Sequence, residues 1–226
     1  MTPTIRLAAL DMAGTTVSDD GVVERAFRRA LDQVGEVPGG GAVGDPDEFV
    51  LRTMGQSKID VFTELFGGDT ATATRANTAF EAAYDRAVDK GEITALPGAA
   101  ATMAALRAAG VRVCLTTGFA PATRDHILDA LGWSRSIDLA LSPADAGRGR
   151  PWPDMILTAV LRLEIEDVRQ VAVVGDTASD LLAGWRAGAG IVAGVLSGAH
   201  GRPELEAVPH THILDSVADL SGLVLS

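Results

Sequence analysis

The chain has 226 residues, enough for one large domain or a core with a smaller companion, and ample capacity for a buried interior. Its formal net charge of −11 and pI near 4.7 argue against sequence-independent nucleic-acid binding, which needs a basic surface. No apolar run approaches the ~20 residues of a membrane span, the first residues lack the basic and apolar tandem of a signal peptide, and Cys114 is the only cysteine; these features predict a cytoplasmic protein without an internal disulfide.

The first predicted element is the apolar run Leu7-Ala8-Ala9-Leu10-Asp11, which reads as a buried parallel strand ending in Asp11 and the small-residue turn Ala13-Gly14. From Val22 to Lys90 no strand is expected. Start and stop signals bracket four helices there: Val22 to Val34 before Gly35, Pro46 to about Met54 behind the N-cap Asp45, Ser57 to the stop at Gly67, and about Ala71 to Lys90. After Leu96-Pro97-Gly98 the alternation of strand and helix returns. It predicts a helix to Ala109, a strand Val111–Leu115 with the turn Thr116-Thr117-Gly118, a helix over about Ala122–Leu131 and a short strand Ile137–Leu141. A helix Pro153–Leu163, a strand Val171–Val174 running into Gly175-Asp176, a strand Ile191–Leu196 and a last short strand at Ile213-Leu214 complete it. The pattern implies an α/β fold, a doubly wound, Rossmann-like parallel sheet with an inserted all-helical cap. Residues 1–18 and 95–226 are expected to form the core domain and 19–94 the cap domain.

Open α/β sheets place ligands at the carboxyl ends of their strands, so the residues there carry the chemistry. Asp11 is already ionised near neutral pH and can attack phosphorus without losing a proton, provided positive charge offsets the anionic phosphoryl group; the alternative is that it caps a turn. Thr117 offers a hydroxyl beside backbone N–H groups at a helix entrance. Asp176 and Asp180, one helical turn apart, would repel each other and Asp11 unless a hard cation sat between them, and oxygen-only ligands favour magnesium. The stiff turn Arg148-Gly149-Arg150-Pro151 can bring a guanidinium to a phosphate, and of its two arginines Arg150 is the better placed.

Other residues suggest less. His210 and His212 flank Thr211 in an expected loop and make a poor metal site; His126 reads as a surface or interface residue, and His200 lies in a Gly-rich loop near the site. Trp133, Trp152 and Trp185 read as packing residues, with Trp152 a possible pocket wall, and Cys114 as buried and inert.

The ordered set Asp11, Thr117, Arg150 and Asp176/Asp180 resembles the four motifs of the haloacid dehalogenase superfamily. Phosphatases of that superfamily carry a second Asp, the general acid, two residues after the nucleophile; here Ala13 stands there and offers only its carbonyl to a metal. The segments Asp-x-Ala-Gly-Thr-Thr and Gly-Arg-Pro, with Met54-Gly55-Gln56-Ser57-Lys58, resemble the phosphonoacetaldehyde hydrolase (phosphonatase) branch. Val61 stands where those enzymes carry a histidine, and Asp19-Asp20-Gly21-Val22 where they carry a cysteine, which is closer to a phosphonatase-like sister group. The resemblance implies a magnesium-dependent hydrolase that cleaves the C–P bond of a carbonyl phosphonate. Lys58 would form an imine, Asp11 an aspartyl-phosphate, and Thr117 and Arg150 would hold the phosphoryl group. The metal would be held by Asp11, Ala13, Asp176 and Asp180, and the substrate contacted by Gly14, Thr15, Met54, Gly55, Thr116 and Gly118. A homodimer through the cap is expected on the same ground. The alternatives are a magnesium-dependent phosphatase for a small organophosphate of the phosphoglycolate type, a metal-independent dehalogenase and a non-catalytic binding module.

Overall fold

The computed structural model describes residues 4–18, 20–35 and 45–225; Asp19, the expected first residue of the cap, residues 36–44 within it, and residues 1–3 and 226 of the expected core lie outside the described residues. The chain runs β1 (Leu7–Asp11), β2 (Val17–Ser18), α1 (Val22–Val34), α2 (Pro46–Arg52), α3 (Lys58–Leu65), α4 (Thr70–Asp89), β3 (Thr94–Ala95), α5 (Ala99–Ala108) and β4 (Arg112–Thr116). It continues through α6 (Pro121–Ala130), β5 (Leu139–Leu141), α7 (Pro143–Ala146), α8 (Asp154–Arg162), β6 (Val171–Gly175), α9 (Ala178–Ala187), β7 (Ile191–Val195), α10 (Arg202–Glu206), β8 (His212–Leu214) and α11 (Leu220–Val224).

Six strands form one sheet in the order β5-β4-β1-β6-β7-β8, and every pairing in it is parallel. A parallel sheet is stable only when both faces are covered, and the strands read accordingly as continuous apolar runs. Alternation along β1 sends Ala8 and Leu10 into one core with Met103, Leu106 and Ile127, and Leu7 and Ala9 into a second with Met155, Ile156 and Ala159. Asp11 follows this run at the centre of the sheet, buried with 4% of its surface exposed.

The two-residue strands β2 and β3 pair antiparallel, Val17 with Ala95 and Ser18 with Thr94, and form the double-stranded stem from which helices α1–α4 extend. Sequence periodicity does not predict this stem, because two residues are too few to show alternation. The four helices lie where expected to within two residues. Asp69 caps α4 by accepting from Ala71 N and Thr72 N at 3.0 and 3.1 Å.

The insert has its own aromatic core. Phe27 of α1 packs against Phe62 of α3 and Phe80 of α4 at centroid distances of 4.6 and 4.8 Å. Phe119, from the turn after β4, enters the same cluster at 4.5 Å from Tyr84 and 6.1 Å from Phe80, so the sheet contributes a ring to the insert's interior. Beside it His126 of α6 meets Asp85 and Asp89 of α4 at 3.4 and 3.1 Å, a contact between sheet-side and insert helices. No helix among the described residues is long and apolar enough to cross a membrane.

Phe80 is fully buried at the middle of the cluster. Phe80→Ala is expected to cost about 3–5 kcal/mol of folding stability in a urea titration, and a loss below ~1 kcal/mol would show that the cluster does not hold the insert together.

Candidate active site

The carboxyl ends of β1, β4, β6 and β7 and the first turns of the insert enclose one cavity of about 270 Å³. Asp11, Ala13, Gly14, Thr117, Gly118 and Asp176 line it from the sheet, Arg150 from its loop, and Met54, Gly55 and Lys58 from the insert. Nearly all the residues that sequence singles out are therefore brought to one place.

The turn after Asp11 is tight. Thr16 Oγ1 donates to the Asp11 carbonyl at 2.8 Å, and the backbone N–H of Thr15, Thr16 and Val17 all donate to the Met12 carbonyl. Gly14 adopts φ +85°, and a Cβ there would overlap the Asp176 carboxylate, so a side chain is excluded on both counts.

Arg150 is the electrostatic centre. Its Nη1 donates to Asp11 Oδ1 at 2.5 Å and also to Asp180 Oδ1, with all three side chains buried. Asp180 Oδ2 accepts from Thr177 N at 3.1 Å and Thr177 Oγ1 at 2.5 Å, a capping box that opens α9. Asp180 does not line the cavity. Both its oxygens are engaged, and it stands behind Arg150 as that side chain's anchor. Arg150 Nε and Nη2 are buried and have no hydrogen-bond partner among the described residues, although the residue borders the cavity. Leaving such donors unanswered is costly, and they suit an anionic ligand.

Three carboxylates, from Asp11, Asp176 and Asp180, place oxygens within 4.8 Å of one another. Among the described residues one guanidinium pairs with them, which leaves a deficit of two positive charges when all three are ionised. Burial pushes the Asp11 carboxyl up to about 7, with Arg150 pulling it down and Asp180 pushing it further up. Burial, then the Asp11 and Asp180 charges, hold Asp176 well above the usual carboxylate range, although Ala199 N donates to its Oδ2 at 2.7 Å. A hard divalent cation fits this donor set in charge and in ligand type. Asp11, Asp176 and the Ala13 residue face the cavity where it would bind.

On the insert side, Lys58 opens α3 at the first helical position, buried, with Nζ 5.7 Å from the ring centroids of both Phe27 and Phe119. Its backbone N–H donates to the Gly118 carbonyl at 3.2 Å. Gly118 faces the Gln56 carbonyl, Gly149 faces Ser57, and Gly55, at φ +80°, faces Thr177 so closely that a Cβ at any of the three would collide. These glycines let the segment before α3 settle on the strand ends and bring Lys58 into the cavity that holds Asp11.

Some placements differ from expectation and others match it. Thr15 and Thr116 do not line the cavity: Thr15 Oγ1 points to Asp176 Oδ1 at 3.4 Å, and Thr116, still within β4, has its side chain directed into the interior with Oγ1 3.5 Å from the Leu10 carbonyl. On β4 the cavity lining begins with Thr117, the first residue past the strand's end. Trp152 does not wall the pocket but lies half exposed between the guanidiniums of Arg148 and Arg186, and Trp185 is likewise exposed; only Trp133 is buried. Arg148 pairs with Asp154 at 2.8 Å, away from the cavity. His200 Nδ1 accepts from Ala178 N at 3.1 Å and so supports the start of α9, while His210 and His212 bond to Val208 and Thr211 and do not converge. Cys114 is buried mid-strand, where desolvation pushes its thiol up and keeps it unreactive.

Sequence reasoning missed Ser18, Asp20, Glu24, Phe119, Thr177 and Ser197-Gly198-Ala199, all of which line the cavity. The last three follow β7 and would have been found by applying the strand-end rule to that strand. Ser18, Asp20 and Glu24 depend on the β2 stem and carried no periodic signal.

A family model described as haloacid dehalogenase-like hydrolase matches residues 5–188, and the chain belongs to that family of hydrolases. It is 27% identical over 253 residues to a phosphonoacetaldehyde hydrolase of Pseudomonas fluorescens (strain SBW25), covering 98% of this chain and 92% of that protein. A shorter match, 33% identical over 104 residues, covers 46% of this chain and 38% of the phosphonoacetaldehyde hydrolase of Pseudomonas entomophila (strain L48). Among solved structures, a hydrolase from Pseudomonas syringae superposes with a TM-score of 0.81 at 25% identity, covering 96% of each chain.

The raised Asp11 pKa links metal binding to pH. In the metal-free protein its contribution to stability is present below about 4 and is lost as pH rises to about 7, and above that the ionised carboxylate is available to a cation. Saturating magnesium chloride is expected to raise the melting temperature more at about pH 8 than at about pH 6; an equal rise at both would contradict cation binding at Asp11.

Proposed function

We propose that this hydrolase cleaves the carbon–phosphorus bond of phosphonoacetaldehyde or a closely related carbonyl phosphonate. The observation that carries the reading is Lys58 opening into the same cavity as Asp11 and Arg150, at a site where Ala13 supplies no carboxylic acid. Breaking a phosphate ester calls for a proton on the leaving oxygen, a contribution of roughly 10²–10⁴-fold that Ala13 cannot make. Breaking a C–P bond calls instead for a carbon that can accept the electron pair, and a lysine imine provides it. The full-length similarity to an enzyme named phosphonoacetaldehyde hydrolase supports the same choice.

In this reading the phosphonate oxygens take hydrogen bonds from Arg150 Nε and Nη2 and from the Thr117 hydroxyl. The Lys58 amine adds to the aldehyde carbon and, with loss of water, forms a protonated imine. An Asp11 oxygen attacks phosphorus in line, the C–P bonding pair moves onto carbon, and the imine becomes an enamine. Protonation of the enamine carbon and hydrolysis release acetaldehyde and return Lys58; water cleaves the aspartyl-phosphate to phosphate and restores Asp11. A magnesium ion, held by Asp11, the Ala13 carbonyl and Asp176, would supply charge neutralisation at the phosphoryl group. Asp180 positions Arg150 and closes the charge balance from behind. Residues 19–94 act as a cap over a core of residues 1–18 and 95–226, and cap opening admits substrate.

Phosphate and acetaldehyde release from phosphonoacetaldehyde with magnesium, followed for wild type and variants in parallel, tests the reading. Lys58→Ala and Asp11→Asn are each expected to lower kcat by at least about 10³-fold. Phosphate-ester hydrolysis that survives Lys58→Ala, with no aldehyde released by the wild type, would replace the C–P hydrolase with a phosphatase.

A further inference from the structure

We infer that Glu24 is a specificity-determining residue of this cavity, selecting a substrate that carries a hydrogen-bond donor, best an ammonium group, on the end remote from phosphorus. The inference rests on the phosphonate reading above and adds to it the substrate class.

Glu24 lies in the first turn of α1, directly after the β2 stem, and lines the cavity. Its Oε2 is buried and has no hydrogen-bond partner among the described residues. The oxygen is held near the chain turn at Gly21, where a Cβ would stand 3.3 Å from it. Next to it on the same wall are Ser18 and Asp20, whose side chains are joined by a 3.1 Å hydrogen bond from Ser18 Oγ to Asp20 Oδ1. This wall therefore presents carboxylate acceptors to the cavity, and Ser18 spends its donor within it.

The opposite requirement holds at Arg150. That side chain is 95% buried, and two of its nitrogens are donors without a partner among the described residues. It takes the anionic group and thereby orients the ligand, with phosphorus at the strand ends and the remainder toward the insert. On this half-buried Glu24 side chain the one enclosed oxygen lacks a donor, and a ligand ammonium supplies it with a charge-assisted hydrogen bond. The cavity of about 270 Å³ exceeds what a two-carbon phosphonate fills at interior packing density, which leaves space for such a group.

Calorimetric titration of the magnesium-loaded full chain tests this with three non-hydrolysable ligands: propylphosphonate, 3-hydroxypropylphosphonate and 3-aminopropylphosphonate. Wild type is expected to bind the amino ligand at least about tenfold tighter than propylphosphonate, with the hydroxyl ligand between them, and Glu24→Gln is expected to reduce the tenfold ratio to about threefold or less. A wild-type ratio near one, or a ratio unchanged in Glu24→Gln, overturns the inference while propylphosphonate binding leaves the phosphonate site standing. Failure of all three ligands to bind overturns both. A ratio that behaves as expected in an enzyme that does not cleave phosphonoacetaldehyde upholds the role of Glu24 and removes only the C–P chemistry.

Discussion

A single guanidinium nitrogen, Nη1 of Arg150, is shared in the protein interior by Asp11 and Asp180, and the surrounding turns serve to keep it there. Removing one partner of a buried pair of this kind costs about 3–5 kcal/mol, because the remaining charge is left in a poorly solvating interior. Thr177 holds Asp180 through its hydroxyl and its backbone, and Gly14 gives way to Asp176 by having no side chain. The cluster stays short of positive charge even so. Burial first, and then the neighbouring carboxylates, raise Asp11 and Asp176; the deficit suits a divalent cation, and Arg150 keeps two donors that have no partner among the described residues. Phosphoryl transfer develops further negative charge at this place, so the carboxylate cluster would need the cation beside Arg150 before it could stabilise that charge.

The second constraint is mechanical. Lys58 lies far from Asp11 in the chain and reaches the same cavity because three glycines, Gly55, Gly118 and Gly149, remove the side chains that would keep the insert off the sheet. Phe119 then locks the approach from the other direction by joining the cluster of Phe80 and Tyr84. One of the two rings beside the Lys58 amine, Phe119, is thus the ring that docks sheet to insert, so its substitution bears on the Lys58 surroundings as well as on stability.

Much of this was legible in the sequence, for reasons that differ between residues. Helix α1 could be read from Val22 to Val34 because its apolar positions follow the helical period and Gly35 ends it. Asp11, Thr117 and Asp176 could be read because an apolar run ending in a small-residue turn marks the end of a buried strand, whatever the tertiary context. The expected placement of Thr15 and Thr116 in the cavity lining differs because a turn motif does not say which way each hydroxyl points; the position of Asp176 and the run of β4 decide that. Asp180 read as a possible ligand from its spacing, and its engagement by Thr177 and Arg150 became visible only in three dimensions. Glu24 was not legible at all: it looks like any first-turn acid, and only the β2–β3 stem, too short to leave a pattern, turns it toward the cavity.

The proposed chemistry requires Lys58 and Asp11 to act on one substrate from opposite sides of this cavity. Borohydride reduction during turnover of phosphonoacetaldehyde, followed by peptide mass mapping, tests it most directly. An ethyl group is expected on the Lys58 peptide and on no other lysine, replaced in Asp11→Asn by an adduct that retains phosphorus. Continued release of acetaldehyde and phosphate with Lys58 unmodified would contradict it.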